Sequence, residues 1–304
     1  AVKNNNINIK KPPKRIPQNQ IRYFLKFVIV FFLIFISCNE NDKTRSKTSS
    51  EKNKLSYFDS VKVAAYWIKA GRLAPHEQAR QKYLDSALMI APDSAFFWQQ
   101  KAMPLYKARK YSLGKPFLAK AVEHNPAAYL EYSAFMKCIF SKEYEESIEE
   151  FMLVKEKYGD SYVMDHTHNF YLGLNYLQLE QFEKAKEFLT KSKEQQLTDF
   201  PKRLPEHACH HLDWFYLGVA DFELGNYKAA IESFDMSLKV YENFADALYF
   251  KSLSLHKMDQ KEEASTLLAI AFENSENTIN EDQVYYEIYP YQVFHRLSPI
   301  SRPK

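Results

Sequence analysis

The strongest constraint on the fold is a pattern of large and small side chains that recurs along most of the chain. It is clearest where Trp214, Leu217 and Gly218 are followed by Ala230 and Phe234. One unit of this kind cannot bury its own apolar face, so copies of the unit must stack to make a core. The pattern also falls over residues 95–128, 128–161, 166–199 and 245–278, with a degenerate first unit that ends at Pro92, 34 residues before Pro126.

This pattern resembles the tetratricopeptide repeat (TPR), a unit of two antiparallel helices called A and B. In that family, small residues at the eighth and twentieth places let the two helices approach, and large residues fill the space between them. The sequence departs from the family at Asp221, in the place of an aromatic residue, and at Glu242, in the place of a proline. The resemblance implies an all-α, right-handed TPR solenoid of about six helix-turn-helix repeats over residues 56–279. A non-repetitive helical bundle is the alternative.

Three features interrupt the repeat. Pro104 falls inside a predicted A helix, where it should kink the helix and cost about 3 kcal/mol because it has no backbone N–H. About 11 residues between positions 198 and 210 are inserted between two well-matched repeats. Residues 280–304 are rich in tyrosine, and we predict that they pack as an aromatic cap over the last repeat, since a terminal unit exposes an apolar face.

The N-terminal residues have the pattern of an export signal. A basic stretch without acids precedes an apolar run over residues 27–36, which is shorter than the roughly 20 residues that span a bilayer. The run ends in Phe35-Ile36-Ser37-Cys38, which resembles the lipobox of bacterial lipoproteins, although that family prefers an aliphatic residue in the place of Phe35. The resemblance implies cleavage before Cys38 and attachment of lipid to its sulfur. A plain membrane-anchored helix with an incidental cysteine is the alternative.

After Cys38 the composition is that of a flexible polar tether. Its acidic opening resembles the surface-export signal of lipoproteins in some diderm bacteria. The predicted segments are therefore the basic N-terminus and signal at 1–37, the tether at 38–55, the solenoid at 56–279 and the capping segment at 280–304. The expected location is extracytoplasmic, anchored to the outer membrane or surface of a diderm bacterium.

The distribution of charge argues against nucleic acid as a partner. The net charge is +3, but residues 1–37 contain seven of the 41 basic residues and no acidic ones. Residues 38–304 therefore have 34 basic and 38 acidic side chains. They show no clustered basic stretch of the kind that binds nucleic acid.

No catalytic motif is present in the sequence. The six glycines are too dispersed for a loop that cradles phosphate, and the spacings typical of metalloproteases, serine hydrolases and P-loop proteins are missing. We therefore expect neither enzymatic activity nor a cofactor.

Histidines form the most unusual group of polar residues. They stand at the predicted starts of two A helices in adjacent repeats, which we expect to lie about 10 Å apart. Imidazole and thiolate are good ligands for zinc or copper, although exposed histidines without a ligand are the plainer interpretation. Cys138, in apolar sequence, is expected to be a core residue. The candidate metal ligands are His166, His168, His207, Cys209, His210 and His211.

The TPR resemblance also implies a concave groove, lined by A helices, that takes a segment of a partner protein. The groove positions here are mostly aromatic or aliphatic, and they lack the Lys/Asn/Arg clamp with which the chaperone-tail class of TPR holds a terminal carboxylate. We expect an apolar helix or strand as the bound segment, because aromatic anchors in a pocket dominate binding energy. Partial burial between repeats is the alternative for these side chains. The predicted groove residues are Phe96, Gln99, Tyr106, Tyr129, Tyr132, Phe170, Phe215, Phe222 and Tyr249.

These patterns together predict a lipid-anchored TPR scaffold that binds other proteins in an extracytoplasmic complex. Its expected partners are proteins, through the groove, and a membrane, through the lipid on Cys38. The alternative is an extracytoplasmic module that binds a small ligand or a metal at the histidine-rich junction between repeats.

Overall fold

The computed structural model describes residues 55–283 and 286–297, which are mostly helical. The predicted signal, Cys38 and residues 39–54 of the tether lie outside the described residues, and what we expect of them stays a prediction. Within the described ranges, no helix is both long enough and apolar enough to cross a membrane. The described α-helices are α1 Tyr57–Gly71, α2 Gln78–Leu88, α3 Ala95–Lys107, α4 Tyr111–His124, α5 Pro126–Met136, α6 Tyr144–Tyr158, α7 His168–Gln178, α8 Phe182–Asp199, α9 Pro205–Ala208, α10 His211–Glu223, α11 Tyr227–Val240, α12 Ala245–Lys257, α13 Lys261–Glu273 and α14 Phe294–Leu297.

Two short elements complete the described structure. A π-helical segment, Lys137–Ser141, continues α5. An antiparallel hairpin of two strands, β1 (Tyr162–Val163) and β2 (His166–Thr167), leads into α7.

Twelve of these helices form six helix-turn-helix pairs. The first, or A, helices are α1, α3, α5, α7, α10 and α12, and the second, or B, helices are α2, α4, α6, α8, α11 and α13. Each A helix packs against its own B helix, and each pair packs against the next pair along the chain. Stacking in chain order is the arrangement of a solenoid, so the predicted all-α repeat architecture is confirmed.

The turn between the A and B helices has one recurring conformation. In five pairs a single residue of this turn has a positive φ, and in four of them the next residue donates its backbone N–H to the carbonyl five positions back, at 2.8–3.0 Å. This is a Schellman helix end, which stops the A helix and redirects the chain. Only one of the five residues is glycine, so the others accept about 1–2 kcal/mol of left-handed backbone strain. The five are Arg109, Lys142, Glu180, Gly225 and Asp259.

Small residues at the eighth place of the repeat bring the paired helices into contact, as the pattern predicted. A Cβ atom at Gly173 in α7 would lie 2.5 Å from Cγ of Leu189 in α8. A Cβ atom at Gly218 in α10 would lie 2.6 Å from Cε1 of Phe234 in α11. Neither space holds a methyl group without movement of the B helix or its side chain.

Pro104 lies inside α3, where the sequence placed it. Its missing N–H frees the carbonyl oxygen of Gln100, one helical turn earlier. Nη1 of the buried Arg80, in α2, donates to this oxygen at 3.3 Å, and Nη2 of Arg80 donates to the side-chain oxygen of Gln100 at 2.7 Å. A side chain of the preceding pair therefore replaces the lost backbone partner.

The apolar core is continuous from α3 to the C-terminal residues, whereas the first pair has a smaller core of its own. That smaller core joins Ala70 of α1 and Leu84 of α2 to Phe97 of α3. The inserted residues after the fourth pair form the last turns of α8, which continues to Asp199, and the short helix α9.

Candidate functional site

The C-terminal segment, defined as residues 279–283 and 286–297, is anchored at both ends on α12. The fully buried carboxylate of Asp246 accepts a hydrogen bond from the backbone N–H of Ile279 at 2.9 Å and another from that of Val293 at 2.7 Å. Asp246 is at the second position of its A helix. The residues between these two contacts leave the last pair and return to it.

Between its anchor points the segment reaches the A helices of earlier pairs. Asp282 forms an ion pair with Lys107 at the end of α3. The ring of Tyr286 stacks on that of Phe140, which follows α5, with centroids 6.4 Å apart. The predicted cap over the last repeat therefore describes only part of the arrangement, because the segment runs along the A helices as far as the second pair.

Side chains of the A helices and of the turn after α5 also hold the main chain of the segment. Nζ of Lys142 donates to the carbonyl oxygen of Ile288. The hydroxyl of the buried Tyr216, in α10, donates to the carbonyl oxygen of Pro290 at 2.7 Å. Together with the two N–H groups bound by Asp246, these contacts show a surface that recognises irregular polypeptide backbone.

The nine predicted groove residues differ in their accessibility. Phe96 is exposed, and Gln99, Tyr129, Tyr132, Phe222 and Tyr249 are half-buried. For the remaining three the groove prediction is wrong, because their side chains are at most 1% exposed and belong to the core; they are Tyr106, Phe170 and Phe215.

The three buried rings are enclosed by neighbouring aromatic side chains. Phe170 packs against Tyr216 of the next A helix, with centroids 5.6 Å apart, and Phe215 packs against Phe250 of the following one at 5.7 Å. Tyr106 lies against Phe140 at 6.3 Å. Contacts between successive A helices therefore use side chains that the repeat pattern placed in the groove.

The open part of the A-helix face lies at the second and third pairs. Phe96 and Gln99 of α3 and Tyr129 of α5 remain accessible there. Tyr249, in contrast, accepts a hydrogen bond from Nη1 of Arg296 in the C-terminal segment at 3.3 Å. The segment thus reaches α3 at its last residue, Lys107, and leaves accessible the open end of the face, which Phe96, Gln99 and Tyr129 line.

Two carboxyl groups at this contact have strongly raised pKa values. Burial raises the pKa of Asp246 to about 7, in spite of the two backbone hydrogen bonds that favour its charged form. Burial also raises the pKa of Glu287 to about 7, and the nearby charges of Asp282 and Glu281 add to the shift. The contact between the segment and the A helices therefore depends on protonation.

We expect the C-terminal segment to dock less tightly as the pH rises from about 4 to 7. A raised pKa means that the docked state binds more protons than the released state in this window, so docking loses free energy until both groups are ionised. Burial lowers the pKa of Lys142 to about 8. This group therefore affects the docking free energy in the opposite direction, and only above that pH. Hydrogen exchange of the segment, corrected for intrinsic rates, measures the effect as a fall in protection of at least about tenfold, the equivalent of one pKa unit.

The variant Glu287→Gln removes one of the two buried charges. We expect it to raise the protection of the segment at pH 8 and to flatten the pH dependence, while leaving protection at pH 4 nearly unchanged. Protection that rises with pH in the wild-type chain would contradict the prediction.

The structure brings three of the six candidate metal ligands together. The rings of His166 and His210 have centroids 4.8 Å apart, and those of His210 and His211 are 4.2 Å apart. These histidines come from the fourth and fifth pairs, which are adjacent in the stack. They are closer than the interhelical spacing alone predicts.

The other three candidates are engaged elsewhere or exposed. Nε2 of the buried His168 contacts a carboxylate oxygen of Glu131 at 3.0 Å. The thiol of Cys209 is buried against the backbone of α8, which raises its pKa to about 12, and His207 is exposed. Cys138 is also buried, and both it and Cys209 are free thiols.

The sequence predicted that His166 stands at the start of an A helix, and this prediction is wrong. His166 lies in β2, and α7 begins two residues later, at His168. The reason is local: the hydroxyl of Thr167 accepts the backbone N–H of Phe170 at 3.0 Å, so Thr167 is the N-cap of the helix. The hairpin turn before His166 places Met164 and Asp165 at φ values of 48° and 67°.

Sequence reasoning missed most of the polar residues that hold the C-terminal segment. Lys142 stands in a turn, Tyr216 in a run of core residues, and Glu287 outside the repeats. The one available signal was Asp246, an acid at an A-helix position where Phe96 and Tyr129 are aromatic.

Comparison with known proteins supports the fold. PilW, a widely conserved type IV pilus biogenesis factor, superposes with a TM-score of 0.54 at 16% sequence identity, covering 70% of this chain and 92% of PilW. The pilF protein of Pseudomonas aeruginosa gives a TM-score of 0.50 at 17% identity, covering 69% of this chain and 88% of pilF. No protein-family model matches the chain, and no curated protein matches it.

The stacked helix pairs, the 34-residue pattern and these similarities define the class of protein. The chain is a TPR-containing protein with the fold of a TPR solenoid. At these levels of identity the similarities extend to the fold alone.

Proposed function

We propose that this chain is a scaffold that binds a segment of a partner protein on its A-helix face and is held to a membrane by lipid on Cys38. The scaffold acts outside the cytoplasm, in an envelope or surface complex. Its role is binding, and no chemical reaction is part of it.

The observation that carries the binding role is the position of the C-terminal segment. The A helices and the residues just after α5 hold an irregular stretch of the same chain through a buried carboxylate, a tyrosine hydroxyl, a lysine and stacked aromatic rings. Many of these contacts are made to backbone groups, which every polypeptide has. The surface therefore suits a segment of another protein that also carries apolar side chains. A partner segment would extend the same mode of binding over the open end of the face.

The open end offers the chemistry of a protein-binding surface. Phe96 and Tyr129 present aromatic rings, and Gln99 follows Phe96 by three positions in α3. Aromatic side chains are common anchors in protein interfaces because they bury a large area with little loss of conformational freedom. We therefore place the partner on α3 and α5.

Photo-crosslinking tests this placement. The crosslinking amino acid p-benzoylphenylalanine is introduced at Tyr129 of α5, and in a matched variant at Met152 of the B helix α6, which is 46% exposed. In cells that make the full chain, we expect Tyr129 to yield defined crosslinks to another protein and Met152 to yield few. Equal yields from the two positions, or crosslinks from Tyr129 only to this chain, would count against the binding role.

The same cells test the anchor. We expect the wild-type chain to fractionate with membranes and to contain a lipid-modified Cys38 at its mature N-terminus. Cys38→Ala should move the chain to the soluble fraction or leave it uncleaved, whereas Cys209→Ala, which changes a cysteine far along the sequence, should not. A wild-type chain whose mature N-terminus is not a lipid-modified Cys38 would refute the lipid anchor but not the protein-binding face.

A further inference from the structure

His166 has an environment that is unusual for a structural histidine. Its side chain is 1% exposed, yet neither Nδ1 nor Nε2 has a hydrogen-bond partner. Its ring stacks on that of Phe170, with centroids 4.1 Å apart, which fixes its orientation. A buried polar group without a partner costs about 1–3 kcal/mol, so both nitrogens are available to something that the protein itself does not supply.

Three further ligand groups form a cluster beside His166, and the ring centroid of one of them, His210, lies 4.8 Å from that of His166. One ligand atom from each of His210, His211 and Glu281 lies within 4.8 Å of the other two. The two histidines begin α10, and Glu281 belongs to the C-terminal segment. Burial raises the pKa of Glu281, and His166 is close enough to Glu281 to offset part of this shift. Side chains from the fourth pair, the fifth pair and the C-terminal segment therefore converge.

Asp213 stands behind His166. It is buried, its Oδ1 accepts the hydroxyl hydrogen of Ser192 at 2.5 Å, and its Oδ2 has no hydrogen-bond partner. Oδ2 lies 3.9 Å from Nδ1 of His166. A carboxylate that faces one ring nitrogen of a histidine is the usual support for a metal bound by the other nitrogen.

The two histidines at the start of α10 are in the form that binds metal. Burial lowers the pKa of His210 to about 4 and that of His211 further still, so both imidazoles are neutral at pH 7. Nδ1 of His210 accepts the backbone N–H of Leu212 in a long hydrogen bond of 3.3 Å. A metal on either nitrogen of His210 would replace this weak contact, because a metal on Nε2 moves the ring proton to Nδ1.

We propose that His166, His210, His211 and Glu281 bind one divalent transition-metal ion of the zinc type. Three imidazoles and one carboxylate match the ligand preference of zinc, whereas calcium and magnesium prefer oxygen ligands throughout. With metal–nitrogen bonds of about 2.0–2.1 Å, tetrahedral ligand atoms lie about 3.3 Å apart. The ligand atoms of His210, His211 and Glu281, which lie within 4.8 Å of one another, must therefore close by up to about 1.5 Å, a movement within reach of the rotamers of histidine and glutamate.

A surface pocket reaches the cluster at His210. This pocket has a volume of about 580 Å³, and Asp165, His207, Cys209 and His210 are among the residues that line it. Asp165 adjoins His166 in the hairpin turn. An ion therefore has an approach that is lined by polar groups.

The site has a structural consequence because Glu281 lies in the C-terminal segment. An ion bound by all four residues ties that segment to the junction of the fourth and fifth pairs. Metal binding therefore stabilises the docked segment, by linkage between binding and docking. This inference is independent of the partner-binding role proposed above.

Titration of the full chain tests the proposal. The chain, without a histidine tag and stripped of metal by a chelator, is titrated with Zn²⁺ in a calorimeter and with Co²⁺ in a spectrophotometer. We expect one ion per chain, a visible Co²⁺ spectrum typical of low-coordinate nitrogen and oxygen ligands, and no comparable binding of Mg²⁺ or Ca²⁺. Absence of Zn²⁺ and Co²⁺ binding at micromolar concentrations would overturn the proposal.

Matched variants locate the ion. Glu281→Gln and His211→Ala should each weaken Zn²⁺ binding by about tenfold or more. The control His207→Ala, at the rim of the pocket, should change it less than about twofold. Circular dichroism verifies that each variant folds. Glu281 is exposed, so Glu281→Gln still tests the site if His211→Ala does not fold. Equal weakening by His207→Ala, or none by Glu281→Gln, would exclude this ligand set.

Discussion

Replacement of Asp246 by alanine is expected to release the C-terminal segment from the A helices while the six helix pairs remain folded. The carboxylate of Asp246 is the buried acceptor for the N–H groups of Ile279 and Val293, at the two ends of the segment. Each N–H group left buried without a partner costs about 1–3 kcal/mol. We therefore expect the free energy of docking to fall by about 2–5 kcal/mol. Above neutral pH the fall should be near the lower value, because the variant then also removes an unfavourable buried charge.

Hydrogen exchange measures this release at the two amides themselves. A loss of this size corresponds to a fall in protection of roughly 30- to 5,000-fold at Ile279 and Val293. Asp246→Asn should give an intermediate result, since an amide oxygen can accept one of the two hydrogen bonds. Unchanged protection in Asp246→Ala would show that the segment is held mainly by other contacts.

Asp235 provides the matched control. It also lies on a helix of the last two pairs, and it accepts a hydrogen bond from Nζ of Lys251 at 2.6 Å, but its side chain is 46% exposed. Exposed ion pairs contribute only about 0–1 kcal/mol. Asp235→Ala should therefore leave the protection of the segment close to that of the wild-type chain.

Replacement of Gly218 by alanine is expected to destabilise the fifth pair. The new Cβ would lie 2.6 Å from Cε1 of Phe234, whose side chain is fully buried. Alanine is worth up to about 1 kcal/mol more than glycine in a helix, but overpacking of this kind costs about 1–3 kcal/mol or more. We expect a net loss of about 1–3 kcal/mol and a melting temperature lower by about 2–12 °C.

Two further variants show whether the clash is the cause. Gly71→Ala, at the end of α1, meets no atom within 4 Å, so it should leave the melting temperature unchanged or slightly raised. Phe234→Leu shortens the ring that blocks the new methyl group, and in a double-mutant cycle it should recover part of the loss caused by Gly218→Ala. Strict additivity of the two substitutions would contradict the proposed contact.

The contrast between these variants reflects what can be predicted from a repeat. The contact of Gly218 with Phe234 is between residues 16 positions apart, inside one unit, and the same contact recurs between Gly173 and Leu189. A pattern that repeats in sequence must repeat in structure, so the small residue at the eighth place indicated the close helix packing. The number and order of the helix pairs followed from the same pattern.

The predicted groove failed where contacts between units decide accessibility. Phe170 and Phe215 occupy equivalent places in successive A helices, and each is covered by a ring of the next A helix. Phe96 lies three positions before the equivalent place in the A helix of the second pair, and its side chain is 39% exposed. The position of a residue in the repeat determines which face of the helix its side chain is on. The size of the side chains in the adjacent unit decides whether it is buried.

The 34-residue pattern by itself determined the TPR solenoid, its helix pairs and the residues that let those helices touch. Only the tertiary structure decided that the C-terminal segment lies along the A helices and that Glu281 joins His210 and His211. Lys107 and Asp282, which pair across that contact, are 175 residues apart. Such contacts have no period and join residues outside any common unit, so they arise from the packing of the whole chain and leave no pattern in its sequence.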